Sequence, residues 1–162
     1  VFPNAIKDII NINQTTLFLV SANGDIAWLN SKGKISNYIK SAHNDIGNAC
    51  VNLTNNIIAS VSRDKYLYLW SDGKLLERIK SPHTHSIKTM TFIEPWIITG
   101  SYDGCIHFYN LESLSWSHKY YRPTTSGISS LAISYNNKNE TFINASSYNG
   151  EIYTYSLPYS EN

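Results

Sequence analysis

The feature of this sequence that most resembles a metal site is a pair of histidines, His83 and His85, separated by one residue. Zinc sites need three or four ligands drawn from Cys, His, Asp and Glu. No cluster of such residues accompanies the pair at ligand spacing. We therefore predict neither a metal nor another cofactor.

Two aspartates, Asp64 and Asp103, could be considered as catalytic carboxylates. Each stands two residues after a serine, Ser62 or Ser101, in a segment with the composition of a tight turn, and this position favours a structural role. The sequence contains no nucleophile elbow, no phosphate-binding loop and no dinucleotide fingerprint. We predict that the chain is not an enzyme.

The cysteines and the overall charge limit the classes of compartment and partner. Cys50 and Cys105 stand alone, without C-x-x-C spacing, which indicates reduced, buried thiols in an intracellular protein, cytoplasmic or nuclear. The formal net charge of +1 gives no reason to expect direct binding of nucleic acid or of an anionic membrane. No apolar stretch is long enough for a membrane-spanning helix.

A block of nine residues recurs four times, at 21–29, 62–70, 101–109 and 147–155. Every block opens with Ser, carries Asp or Asn two residues later, and has Ile or Leu at its sixth position. The turn residues Asn23, Asp64, Asp103 and Asn149 are 41, 39 and 46 residues apart (64−23, 103−64 and 149−103). A period of about 40 residues is typical of repeat proteins whose unit is a four-stranded sheet.

Each block predicts a strand, a tight turn and a second strand, because Asn-Gly and Asp-Gly tolerate positive φ and the flanking runs are β-branched and aromatic. The strands that lead into the turns are predicted at Thr16–Val20, Asn56–Ser60, Trp96–Thr99 and Thr141–Ala145. Earlier strands are predicted at Ile6–Ile12, Ile46–Leu53, Ile87–Ile93 and Ile128–Ser134, and outer strands at Lys34–Ile39, Lys74–Ile79 and Ser115–Tyr121. We therefore predict an all-β fold of about four consecutive four-stranded antiparallel sheets, without helices.

The two ends of the sequence indicate that the architecture continues beyond it. Only Pro158–Asn162 follow Leu157, too few for an outer strand in the last repeat, and Val1–Ala5 could end an outer strand of an earlier repeat. We expect the flat outer sides of the first and last repeats to be apolar, as surfaces made for neighbouring repeats.

The repeats resemble those of the WD-repeat β-propeller family, and the second repeat matches best. Family members resemble a pattern with His in the loop that enters the blade, Ser in a strand, Asp in the following turn and Trp in the next strand. In this repeat those residues are His43, Ser60, Asp64 and Trp70. In the third repeat, the resemblance places the same network on His83 or His85 and on Thr99, Asp103 and Tyr109. The first and fourth repeats depart from the pattern, since they have Asn at the turn and the fourth has no preceding His.

This resemblance implies a ring of about seven four-stranded sheets, called blades, of which the chain supplies four at most. The missing blades would come from the same or from another chain. We expect the blades at approximately 6–42, 43–82, 83–124 and 125–157.

One position of the repeat stands out as a candidate for binding. Ala22, Arg63, Tyr102 and Tyr148 all lie between the Ser and the Asp or Asn of a turn, so they should share one rim of the propeller. Tyr and Arg are the residue types that dominate protein interfaces. We predict that Arg63, Tyr102 and Tyr148 contact a protein partner, against the alternative that Tyr is simply common in a chain with 12 of them.

The function that the resemblance implies is a non-enzymatic scaffold for protein–protein interactions, a subunit or adaptor of a larger complex. An assembly factor within a ribonucleoprotein complex is an alternative, as is a propeller enzyme.

Overall fold

The computed structural model describes residues 2–54 and 56–157, and this part of the chain contains fifteen β-strands and no helix. The strands form four antiparallel sheets, each built from consecutive strands. The prediction of an all-β fold is therefore confirmed. Val1 and Pro158–Asn162 lie outside the described residues. The two expectations about the chain ends rest partly on them.

Three of the sheets have four strands and the last has three. The first sheet contains β1 (Ile6–Asn13), β2 (Thr16–Ser21), β3 (Ile26–Asn30) and β4 (Ile35–Ile39). The second contains β5 (Gly47–Asn52), β6 (Ile58–Ser62), β7 (Tyr66–Ser71) and β8 (Lys74–Lys80). The third contains β9 (Ile87–Ile93), β10 (Trp96–Ser101), β11 (Ile106–Asn110) and β12 (Ser115–Trp116), and the fourth contains β13 (Ile128–Tyr135), β14 (Thr141–Ser147) and β15 (Ile152–Ser156).

The turn between the second and third strand of each sheet needs a residue with positive φ. Gly104 supplies it in the third sheet with φ 78°, a conformation that costs glycine little. Lys65 stands at the same position in the second sheet and adopts φ 71°. The recurring block therefore folds into the same turn in both sheets, with or without glycine.

The outer strand of the third sheet is shorter than predicted. The sequence predicts a strand over Ser115–Tyr121, whereas β12 ends at Trp116, and Tyr121 rejoins the sheet only through an isolated bridge to Ile106. Between them the hydroxyl of Ser117 accepts a 3.0 Å hydrogen bond from the backbone N–H of Lys119. The backbone N–H of Ser117 still donates to the Phe108 carbonyl at 2.8 Å, so the ladder is interrupted only between Ser117 and Tyr121.

The hydrophobic core is divided into layers between adjacent sheets. The first strands of the sheets, β1, β5, β9 and β13, lie next to one another along the chain order. Phe18 and Trp28 of the first sheet pack against Ile58 and Trp70 of the second. Equivalent layers join the second to the third sheet and the third to the fourth. Each inner sheet is thus apolar on both faces.

The outer face of the first sheet, the face that points away from the second sheet, is apolar as expected. Leu19, Ala27 and Leu29 form its centre, and Phe2 packs against them. Ile9, which is 50% exposed, pairs with Leu19 on the same face. This surface has the composition of a contact with another blade.

The outer face of the fourth sheet, which points away from the third, contradicts the expectation of a second apolar side. Asn144 and Thr154 occupy its centre, where the third sheet has Ile98 and Phe108 on the corresponding face. The side-chain amide of Asn144 donates to Ser134 at 2.7 Å, and its oxygen accepts from Thr154 at 2.9 Å. Polar side chains that satisfy one another across strands tolerate water, as in terminal repeats of repeat proteins.

Candidate interaction surface

His43, Ser60 and Trp70 of the second sheet form a buried chain of hydrogen bonds. The indole N–H of Trp70 donates to the Ser60 hydroxyl at 2.7 Å, and that hydroxyl lies 2.9 Å from Nε2 of His43. Burial lowers the pKa of His43 to about 4, although the negative charge of Asp64 acts in the opposite direction. The histidine is therefore neutral at pH 7.

Asp64 does not join this chain, contrary to the network that the family pattern implied. Nδ1 of His43 is buried and has no hydrogen-bond partner among the described residues. Asp64 instead accepts hydrogen bonds from the Tyr68 hydroxyl at 2.6 Å and from the backbone N–H of Tyr66 and Asn44 at 3.0 and 3.1 Å. Tyr68 reaches the carboxylate that His43 was expected to contact.

In the third sheet the histidine does contact the turn aspartate, and His83 rather than His85 is the residue involved. Nε2 of His83 lies 2.9 Å from the Thr99 hydroxyl, and Nδ1 lies 3.1 Å from Asp103. Burial by itself would raise the pKa of Asp103, but the hydrogen bond and charge of His83 hold it well below its usual range. Tyr109 stays outside these bonds, since it is buried against Trp116, with ring centroids 5.3 Å apart.

The first and fourth sheets use a different turn, which the sequence analysis missed. The amide of Asn23 donates to the carboxylate of Asp25 at 2.7 Å, and the amide of Asn149 donates to Glu151 at the same distance. Asp25 is buried and also accepts from the backbone N–H of Ser41 at 2.7 Å and from the Tyr38 hydroxyl. The signal was present in the sequence: both turns that have Asn also have an acid two residues later, and both turns that have Asp do not.

The candidate rim residues occupy equivalent places in the four sheets. In each sheet the backbone N–H of this residue donates a hydrogen bond to the carbonyl of the residue directly before the first strand. The distances are 2.8 Å for Ala22, 2.9 Å for Arg63, 3.0 Å for Tyr102 and 3.2 Å for Tyr148. The four side chains therefore lie on the face that carries the turns.

Two of these side chains meet. The rings of Tyr102 and Tyr148 are stacked, with centroids 5.2 Å apart and an interplanar angle of 19°. They remain 40% and 50% exposed. Gly127 lies beneath this pair, and a Cβ added there would come within 3.1 Å of the Tyr102 Cα. The close approach of the loop to Tyr102 thus depends on glycine.

Arg63 is separate from the stacked pair. Its side chain is 57% exposed, and its Nε lies 3.8 Å from Asp45. In the described part of the chain it makes no hydrogen bond or ring contact with either tyrosine. The predicted arc of three residues is therefore one aromatic platform and one exposed cation on the same face.

Two residues that the sequence analysis did not assign to the rim lie beside the platform. The ammonium group of Lys88 lies 5.4 Å from the centre of the Tyr102 ring, and His85 meets that ring edge-on at 5.6 Å. The hydrogen bond from Tyr148, together with the charges of Lys88 and Lys7, lowers the pKa of Tyr102. Partial burial and the hydrogen bond donated to Tyr102 raise the pKa of Tyr148 to about 12.

The cysteines and potential metal ligands add no chemistry to this face. Cys50 is buried, but Cys105 is only partly so, which corrects the expectation of two buried thiols. Burial is the main cause that raises the pKa of both thiols, that of Cys105 to about 11. Within residues 2–54 and 56–157, no three His, Cys, Asp or Glu side chains are grouped so that they could hold a metal. Nor does that part of the chain include a helix with the length and hydropathy to cross a bilayer.

Comparison with protein families identifies the repeat. The WD domain, G-beta repeat family matches the chain twice, over residues 35–71 and 74–110. Each match begins on the outer strand of one sheet, β4 or β8, and ends on the third strand of the next. The sequence repeat is therefore offset by one strand from the structural blade. No curated protein sequence matches the chain.

Solved structures share the fold at low sequence identity. The WD40 repeats of RRP9 superpose with a TM-score of 0.84 at 14% identity, over 99% of this chain and 51% of that one. The WD40 β-propeller domain of Doa1 gives 0.80 at 16% identity, over 99% and 53%. A computationally designed protein, Ika4, gives 0.81 at 16% identity, over 98% and 94%.

These findings confirm the resemblance to WD-repeat propellers, for the repeat and for the fold. The chain spans about half the length of the two WD40 chains and nearly all of the designed one. WD-repeat propellers generally serve as scaffolds for protein interactions.

Proposed function

We propose that this chain, which carries WD repeats on a β-propeller fold, is a non-enzymatic subunit or adaptor that holds a protein partner in a larger intracellular complex, in the cytoplasm or the nucleus. The observation that carries the proposal is the stacked pair of Tyr102 and Tyr148, about half exposed on the turn-bearing face. Arg63, on the same face, extends the contact surface.

The energetic reason lies in how the platform is held. The two rings stack on each other, and Gly127 lies against the backbone and ring of Tyr102, before a partner arrives. A rigid aromatic surface offers a large contact area at a small cost in conformational entropy. Arg63 keeps most of its donors free, since its contact with Asp45 is a long one at 3.8 Å.

The remaining blades are proposed to come from the same or another chain, with the blades of this chain at about 6–42, 43–82, 83–124 and 125–157. The apolar outer face of the first sheet supports this, because Ile9 and Ile35 are 50% and 45% exposed beside its buried centre of Leu19 and Leu29. We do not propose catalysis as the main role of the chain, because its sequence contains no recognisable nucleophile or acid–base set.

The test is a triple substitution on the rim, Arg63→Ala, Tyr102→Ala and Tyr148→Ala. Proteins that copurify with the wild type would be identified, and the affinity of each purified candidate would be measured by calorimetry. We expect the triple variant to bind at least tenfold more weakly, a loss of about 1.4 kcal/mol, at a nearly unchanged melting temperature. A control triple of exposed residues, Lys32→Ala, Leu114→Ala and Tyr135→Ala, should bind as the wild type does.

Two results would contradict the proposal. Unchanged affinity would move the contact surface elsewhere, and a large fall in melting temperature would make the tyrosine pair structural. Strong binding of RNA by the purified chain, weakening steeply with added salt, would favour the ribonucleoprotein alternative.

A further inference from the structure

A wide groove lies on the face opposite the stacked tyrosines. It runs between the third and fourth sheets, where the hairpin that joins β9 to β10 faces the hairpin that joins β13 to β14. Its volume is about 760 Å³, which is room for a few side chains rather than for a folded domain.

Three glutamates line this groove: Glu94, Glu112 and Glu140. All three are exposed, and none lies within salt-bridge distance of a basic side chain in the described part of the protein. Glu140 accepts a hydrogen bond from the Asn136 amide, which leaves its charge in place. No Lys or Arg lines the groove, so all of its charged lining side chains are acidic.

The apolar part of the groove is formed by Trp96 and Leu157. Trp96 and Leu157 are partly buried against the core layer between the third and fourth sheets. Trp96 meets Phe108 edge-on, with ring centroids 6.2 Å apart. Its position is therefore fixed, while part of its surface remains open to a ligand.

The corresponding groove between the first and second sheets shows that these properties are local. It has a volume of about 220 Å³, and Asp72 is the single acidic residue among its lining side chains. Asn13, Thr16 and Asn56 line it near the hairpins instead. The repeat architecture alone therefore does not produce a wide groove with three carboxylates.

From this charge complementarity we infer that the groove binds an extended segment of a partner protein in which Lys or Arg alternates with large apolar residues. The basic groups lie beside Glu94, Glu112 and Glu140, and an apolar side chain lies on Trp96 and Leu157. Lys and Arg stems suit such a site, because their methylene chains pack on aromatic rings while the charged ends reach the carboxylates. This site is independent of the rim platform.

The experiment uses a short fluorescein-labelled peptide of alternating Lys and Leu, with a Glu–Leu peptide of the same length as its control. Fluorescence anisotropy at increasing salt would report the affinity of the whole chain. We expect the Lys–Leu peptide to bind and the Glu–Leu peptide not to bind. The triple variant Glu94→Gln, Glu112→Gln and Glu140→Gln should bind about tenfold more weakly.

Matched variants separate the site from general charge effects. Glu151→Gln removes an exposed carboxylate from the opposite face and should leave the affinity unchanged, as should the rim triple variant. Trp96→Phe should abolish the change in tryptophan emission on binding. The inference is overturned if the wild type fails to bind the Lys–Leu peptide, if the Gln triple binds it equally well, or if the rim triple alone abolishes binding.

Discussion

The hydroxyl of Tyr68 donates a 2.6 Å hydrogen bond to the carboxylate of Asp64 and thereby occupies the aspartate that was expected to face His43. The third sheet shows the reason. His107 stands at the position of Tyr68 there and does not bond the turn, and His83 contacts Asp103 directly. The loop histidine thus reaches the turn aspartate in the sheet where the third-strand residue leaves that carboxylate free.

Tyr68→Phe should destabilise the protein by about 2 kcal/mol, because it removes one hydrogen bond to a charged group while the ring can keep its stacking on Trp70. Asp64 keeps its bonds from the backbone N–H of Asn44 and Tyr66. Urea unfolding would measure the change. Tyr135→Phe, at a tyrosine that is 63% exposed, is the control, and equal losses in the two variants would contradict a role for the Tyr68 hydroxyl.

The repeat and nearly all strands could be predicted because both depend on local chemistry. Turn residues and alternating β-branched side chains set the strands within a residue or two, as for β9, which was predicted with its observed bounds of Ile87–Ile93. The shortened β12 could not be predicted, since nothing in the composition of residues 115–121 shows that the ladder is interrupted between Ser117 and Tyr121. The family pattern likewise could not show that Tyr68 reaches Asp64.

The polar outer face of the fourth sheet illustrates a different limit. Asn144 and Thr154 alternate with Ile143 and Tyr155 along their strands, so the sequence indicates that one face is polar. It does not tell which of the two faces packs on the third sheet, because that depends on how the sheets stack. The sequence likewise could not show that three glutamates lie together in the groove, because Glu94, Glu112 and Glu140 belong to three different turns.

Asp25→Ala should cost on the order of 1–3 kcal/mol of stability, because it leaves the Ser41 N–H, the Asn23 amide and the Tyr38 hydroxyl without their acceptor. Glu151→Ala removes the equivalent acid of the fourth sheet at an exposed position and should change stability by about 0.5 kcal/mol or less. Thermal unfolding of the two variants tests the difference. A similar loss in both would show that the buried turn has no special importance.

Acid should destabilise the protein below about pH 6.5. Burial lowers the pKa of His43 and of His107 to about 4 in each case, whereas unfolded histidines titrate near 6.5. Between these values the unfolded chain binds more protons than the folded one, so stability is lost as the pH falls.

His107→Phe should reduce this acid sensitivity by on the order of 1 kcal/mol at pH 5. Nδ1 of His107 is buried without a partner among the described residues, and the ring stacks on Tyr120 with centroids 4.9 Å apart. Phe can keep the stacking without the titrating nitrogen, so stability at pH 7 should be equal or higher. Urea titrations at pH 7 and pH 5 measure this, with His118→Phe at an exposed site as the control. An unchanged pH dependence would contradict the assignment.

Residues 1–162 expressed by themselves should self-associate through the outer face of the first sheet. Exposed apolar strand faces and open sheet edges promote association, and Ile9 and Ile35 are 50% and 45% exposed there. The outer face of the fourth sheet should contribute less, because Asn144 and Thr154 satisfy each other's hydrogen bonds at its centre, although Ile152 on the same face is 75% exposed.

Two double variants distinguish the faces by sedimentation velocity over a range of concentrations. Ile9→Lys with Ile35→Lys places two charges on the apolar face and should shift the protein towards monomer. Ala132→Lys with Thr154→Lys adds the same charge to the outer face of the fourth sheet and should leave the association as it is in the wild type. If both variants dissociate equally, net charge rather than the apolar face controls association. A wild-type chain that remains monomeric at every concentration would show that Phe2 and Leu17, which pack against the centre of the first sheet's outer face, cover it well enough without a neighbouring blade.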